Sequence, residues 1–146
     1  MSLVEKGDPY PRQIEETVRL VCELGAKQCP GWPQTHLLCY QSRVGPAKWL
    51  QPPLTETIEQ LGREGVKEVL VVPISFVTEH IETLHEINIE AREEAEKLGI
   101  ETFRMMPAVG DSPLFIAALK DLVLQATGIG TGEPSEPSGK LSSVAT

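Results

Sequence analysis

The run Val69-Leu70-Val71-Val72, followed by Pro73–Glu90 with the sequence PISFVTEHIETLHEINIE, decides the fold of this chain. The apolar run reads as the end of a buried parallel strand. A short loop follows, and then a helix rich in ligand-type side chains: Glu79, His80, Glu82, His85, Glu86 and Glu90. In an open α/β sheet, the carboxyl end of a strand is where sites are built. At roughly 100° per residue, Glu79, Glu82, Glu86, Glu90 and Glu93 share one stripe. Leu84, Ala91, Ala95 and Leu98 fall opposite and are expected to face a core. Two readings fit this stripe. One is a solvated helix face whose early acids suit the helix dipole. The other is a cation site or proton relay of carboxylate and imidazole. Spacing alone does not separate them.

Outward from this stretch, helical spacing of Ile14, Val18, Val21 and Leu24 predicts a helix over Pro11–Lys27, entered through the Gly7-Asp8-Pro9-Tyr10 turn. Cys29-Pro30-Gly31-Trp32-Pro33 is a break. His36–Tyr40 is expected to be a buried strand. The loop after it, Gln41–Leu50, holds Arg43, Lys48 and Trp49. Thr55–Glu64 reads as a second helix, with Leu54, Ile58 and Leu61 apolar and Gly65 closing it. Val66–Val72 is the second strand, and the acidic helix runs over Thr78–Leu98 to Gly99. Glu101–Met105 is the third strand, and Pro113–Gln125 is a last helix capped by Asp111 or Ser112. The composition of residues 127–146 shifts to Gly, Pro, Ser and Glu, which predicts a disordered tail after a folded part at 1–126. The order αβαβαβα predicts an α/β fold with parallel strands. Three strands are few for such a sheet, so an unpaired edge and self-association through it are expected.

The chain has 146 residues, 40% of them hydrophobic and 23% charged, enough for one globular domain. A net charge of −8 without a basic cluster argues against nucleic acid as a partner. No apolar run is long enough for a transmembrane segment, and the N-terminus lacks a signal-type apolar region. The three cysteines, Cys22, Cys29 and Cys39, lack metal spacing. They read as free thiols of a reducing cytoplasmic protein, each serving as a small buried hydrophobe.

Four segments together resemble the C-terminal part of ferrochelatase, in its bacterial and plastid-type wording. They are Gly7-Asp8-Pro9-Tyr10, Tyr40–Pro46 with Trp49-Leu50, Val72–Leu84 and Pro113-Leu114-Phe115. The strings Q-S-R-V-G-P-x-x-W-L and S-F-V-x-E-H-I-E-T-L are specific in combination, and the resemblance covers residues 5–125. It implies a Rossmann-like chelatase fold, a three-layer α/β arrangement with parallel strands. The fold is expected to be incomplete here, without its first strand and N-terminal domain.

The resemblance further implies insertion of Fe²⁺ into protoporphyrin IX, giving protohaem. It makes Glu82 the catalytic carboxylate at the metal–porphyrin site. His80, Glu79 and Glu86 match a hydrogen-bonded line beside it, on a helix that is often locally π-type. Glu82 and Glu79 are the implied metal ligands, and Trp49, Ser42 and Ser75 the implied porphyrin-pocket residues. Iron is substrate; no permanently bound cofactor and no iron–sulfur cluster are expected. The family's other essential residue is a histidine in a His-Gly/Ser-x-Pro motif upstream of the Gly-Asp-Pro-Tyr turn, before the position of Met1. The expectation is therefore a portion of the enzyme that is inactive alone. Two alternatives remain. One is a small homodimeric chelatase of the cobalt or nickel type, and the other is a non-catalytic porphyrin-binding or partner module.

Overall fold

The computed structural model describes residues 7–33, 35–41 and 49–129. Ser42, Arg43, Lys48 and the expected tail from Gly130 onward lie outside the described residues. The chain divides into two compact units, Met1–Ala108 and Val109–Thr146.

In the first unit, helix α1 (Tyr10–Gln28) starts where Pro11 presets a helical φ. The Asp8 carboxylate accepts the Tyr10 N–H at 2.9 Å. Ile14 and Val18 are half-buried, but Val21 and Leu24 of the expected apolar face are exposed. The buried position is Gly25, because the Trp32 ring occupies the space: a Cβ there would stand 2.5 Å from ring carbons. Helix α2 (Leu54–Arg63) buries Leu54, Thr57 and Ile58, and the chain leaves it through Gly65 at φ +76°.

Strands β1 (Glu68–Val71) and β2 (Thr102–Met105) pair in parallel, Glu68 opposite Thr102 and Val71 opposite Met105. The crossover between them is a loop, a π-helix over Glu82–Ala91 and helix α3 (Arg92–Lys97), closed by Gly99 at φ +81°. The fold is thus α/β with a parallel sheet, as the pattern predicts. The core gathers Leu54 and Ile58 of α2, Ile87, Ala91 and Ala95 of the crossover helices, Ile100, and Phe103 of β2.

Three expectations change. His36–Tyr40 is not a strand among the described residues. Tyr40 makes only an isolated parallel bridge to Pro53, through Tyr40 N–H to Pro52 O at 2.9 Å and Leu54 N–H to Tyr40 O at 3.0 Å. Its partner segment holds Pro52 and Pro53, which have no N–H to donate, so the ladder stops there. Among the described residues the sheet therefore has two strands, β1 and β2. Next, β1 is not buried on both faces. Val69 and Val71 pack on the core, while Leu70 and Val72 are exposed. Third, the acidic helix begins at Glu82, not Thr78, and its buried line is Thr83, Ile87, Ala91 and Ala95, with Leu84 exposed. A π-helix closes i→i+5 bonds, so each residue turns through less than the 100° of an α-helix. The face computed for an α-helix therefore drifts, and Leu84 swings out. Cys29 is also exposed, whereas Cys22 and Cys39 are half-buried; all three are free thiols.

In the second unit, helix α4 (Pro113–Thr127) follows Ser112 and ends at Gly128 with φ +68°. Its apolar Leu114, Ile116, Leu119 and Val123 are exposed.

Gly62 tests the packing of α2 against the end of α3. Replacing a helical glycine by alanine ordinarily stabilises by about 1 kcal/mol. Here the new Cβ would stand 2.7 Å from the Leu98 Cβ, which has no rotamer to yield with. Gly62→Ala is expected to lower stability by about 1–3 kcal/mol through overpacking, measured by urea denaturation. A gain in stability would show that the two helices are free to separate.

Candidate functional site

The loop between β1 and the π-helix carries Glu79 and His80, and the π-helix opens with Glu82. Its geometry starts from Thr83, which is 1% exposed and sits on the buried line of the π-helix. The Thr83 hydroxyl accepts the His80 N–H at 3.1 Å and donates to Glu79 Oε2 at 2.6 Å. It also lies 3.1 Å from the His80 carbonyl, but its single proton favours the charge-assisted bond to the carboxylate. The second Glu79 oxygen accepts the Ala108 N–H at 2.7 Å. Glu79 thus ties the segment after β1 to the segment after β2. These two donors, Thr83 first, hold the Glu79 carboxyl below its ordinary pKa.

One residue on, His80 Nδ1 lies 2.6 Å from Glu82 Oε2. The pair is only about one-third exposed, with His80 at 35% and Glu82 at 38%. Glu82 is the first residue of the π-helix. Its own backbone N–H, and then His80, hold its carboxyl below the usual range. An ionised carboxylate only accepts, so His80 Nδ1 must be the donor. In the neutral ring the proton then sits on Nδ1, leaving the Nε2 lone pair to take a proton. Phe76 meets the ring edge-on, 4.6 Å between centroids.

The remaining expected site residues that the structure describes have other partners. Ser75 shares a 3.0 Å hydrogen bond with the Tyr10 hydroxyl, linking the start of α1 to the loop. Glu86, four residues beyond Glu82, accepts from the Gln41 amide at 2.7 Å. The Trp49 indole N–H donates to the Gln41 carbonyl at 3.2 Å, and Trp49 is 40% exposed. Ser42 lies outside the described residues. Glu82 and Glu79 hold different partners, and no group of three or more His, Cys, Asp or Glu side chains among the described residues is arranged to hold a metal ion. His85 faces Glu90 at 3.4 Å, away from His80's partner. Glu93 is an exposed residue of α3.

Sequence reading passed over three participants. Thr83 was an ordinary polar residue in a helix, and only its burial reveals it. Gln41 opens the Q-S-R-V-G-P string, in a stretch whose sequence predicts only a loop. The Ala108 N–H belongs to a residue without functional side-chain chemistry, and no sequence signal points to it.

The chain is a parallel α/β unit with a carboxylate–imidazole pair on the segment that follows the carboxyl end of a strand, where open α/β sheets build their sites. The family model for ferrochelatase matches residues 1–127, and the chain belongs to the ferrochelatase family. A ferrochelatase of Nostoc sp. is 50% identical over 141 residues, which are 97% of this chain and 33% of that protein. One from Picosynechococcus sp. is 54% identical over 119 residues, 82% of this chain and 30% of the relative. One from Synechococcus elongatus is 54% identical over 121 residues, 83% of this chain and 30% of the relative. The chain spans about a third of the length of the curated relatives it matches.

Both carboxyls have folded pKa values below their unfolded ones. Their stabilising contribution is therefore present above the unfolded carboxylate pKa and lost as pH falls through the folded values. Thr83→Val removes the main donor to Glu79. Its titration, followed by carboxyl carbon NMR, should move up toward the ordinary carboxylate range while that of Glu82 stays put. An unmoved Glu79 titration would mean that the Ala108 N–H alone sets it.

Proposed function

We propose that this chain supplies the carboxylate–imidazole wall of a ferrochelatase, which inserts Fe²⁺ into protoporphyrin IX and releases two pyrrole protons to give protohaem. The observation that carries the reading is the 2.6 Å His80–Glu82 contact at the mouth of β1, within the Glu-His-Ile-Glu string. Metallation needs a base for the pyrrole protons, a handle for a partly dehydrated divalent ion, and an apolar clamp for the macrocycle. His80 Nε2 is the free lone pair of the pair and accepts a pyrrole proton. Glu82 stabilises the resulting imidazolium, and its other oxygen, with Glu79, offers hard ligands to the entering ion. Glu86 continues the line of acids that leads charge and protons away. Trp49, with Ser42 and Ser75, forms the porphyrin wall, where a half-exposed indole offers a broad stacking face.

Iron is a substrate in this scheme, and no resident cofactor or iron–sulfur cluster takes part. The reaction belongs to the cytoplasmic side of haem synthesis. No helix among the described residues is long and apolar enough to cross a membrane. In the first unit, β1 pairs on one side with β2 among the described residues, leaving an edge that suits a further strand or a second copy.

The test joins this chain to the part of the Nostoc relative that precedes the matched stretch and measures initial rates of ferrous and zinc insertion into protoporphyrin. Glu82→Gln keeps the shape and removes the charge, and should lower the rate by about 10²–10⁴-fold, the usual worth of a general base and its partner. Glu93→Gln, on the same stripe by sequence but exposed on α3, should leave it within about twofold, as surface substitutions do. Equal rates for the two variants would reduce the acids to a wet helix face.

A further inference from the structure

Gln41 stands at a junction that the scheme above does not use. The residue before it is pinned, because Tyr40 is held on both backbone groups by Pro52 and Leu54. From that fixed point Gln41 reaches two ways. Its side-chain nitrogen donates to Glu86 Oε2 at 2.7 Å in a half-buried setting. Its backbone carbonyl accepts the Trp49 indole N–H at 3.2 Å. The amide orientation follows from chemistry, since an ionised carboxylate faces the NH₂ and not the carbonyl oxygen. Behind the contact is a cavity of about 290 Å³ between α2 and the π-helix, lined by Gln41, Ile58, Glu86 and Glu90 among others. Gln41 and Glu86 both line it, and the bond between them spans its edge.

We propose that Gln41 is a positioning residue that couples the π-helix to the aromatic wall, so that Glu86 and Trp49 are held in register across the porphyrin site. The inference rests on the reading that Trp49 and the π-helix acids face one macrocycle. A rigid porphyrin tolerates little error in the spacing of its clamp and the acids beneath it, because misplacement of about 1 Å can cost 10²-fold in rate. One residue that bonds both parts sets that spacing with a single side chain and a single carbonyl.

The coupling is read in the 146-residue chain from the indole ¹H–¹⁵N signal of Trp49, assigned with Trp49→Phe. Gln41→Ala and Glu86→Ala should each shift this signal and speed its hydrogen exchange by about fivefold, the worth of one net hydrogen bond. Neither substitution removes the carbonyl that Trp49 bonds, so a purely local contact predicts no change from Glu86→Ala. The double variant should shift the signal no further than either single one, as residues acting through one contact do. Gln41→Glu keeps the size but sets two carboxylates against each other, and should behave like Gln41→Ala. Glu86→Gln, which retains an acceptor oxygen, should restore most of the original signal. Unchanged β1 and β2 amide signals show that each variant is folded.

A Trp49 signal that ignores Glu86→Ala overturns the coupling. Protoporphyrin titration, followed by fluorescence quenching, provides the separate arm: Gln41→Ala should weaken binding by about fivefold on the same scale. If the chain, joined as above to the preceding part of the Nostoc relative, binds no protoporphyrin, the porphyrin reading fails, and the coupling is decided by the indole signal alone. If it binds and Gln41→Ala binds equally well, the positioning role is overturned.

Discussion

One buried hydroxyl organises the mouth of this sheet. Thr83 cannot reach water, so each of its polar contacts must be met inside the protein. It meets them with the His80 N–H and the Glu79 carboxylate, the two residues whose side chains lead to Glu82 and to Ala108. The loop after β1 is thereby tied to the helix that follows it and to the segment after β2. Thr83 is itself fixed because it starts the line Thr83, Ile87, Ala91 and Ala95 that packs against α2 and β2. Packing in the core and polar order at the surface are thus two ends of one helix.

The π-helix makes that combination available. Wide turns are rare relative to α-helix and occur frequently at functional sites. Here they let the buried face keep its four-residue spacing while Glu82 and Glu86 stay half-buried beside it, each with a named donor. The acids nearest the sheet are constrained, and those further along are not. Glu90 is exposed with His85, and Glu93 is exposed on α3. The gradient along the stripe separates a hydrogen-bonded, half-buried end from a solvated one, which spacing alone leaves merged.

The fold class was legible because Val69–Val72, the acidic helix and Gly99 announce a strand–helix–strand unit without ambiguity. The helices α1, α2 and α4 fall within two residues of their expected bounds, since proline starts and glycine ends are local signals. What failed was non-local. His36–Tyr40 has a strand's composition, but its neighbour across the bridge is Pro52-Pro53. The face of Leu84 depends on a helix type that hydrophobic periodicity does not encode. The carboxylates and imidazole of the site were legible as residue types. The 2.6 Å His80–Glu82 contact and the bridging roles of Thr83 and Gln41 were not, because they arise from tertiary placement.

An ionised Glu82 holds His80 with its proton on Nδ1 and leaves the Nε2 lone pair open, the atom that serves as base under the proposed function. The ring ¹⁵N shifts of His80 test this directly, recorded above the imidazole titration on the wild-type chain and on Glu82→Gln. The account predicts a protonated Nδ1 and a lone-pair Nε2 in the wild type, with that preference relaxed in the variant. A wild-type ring protonated on Nε2, or a tautomer indifferent to Glu82, would contradict it.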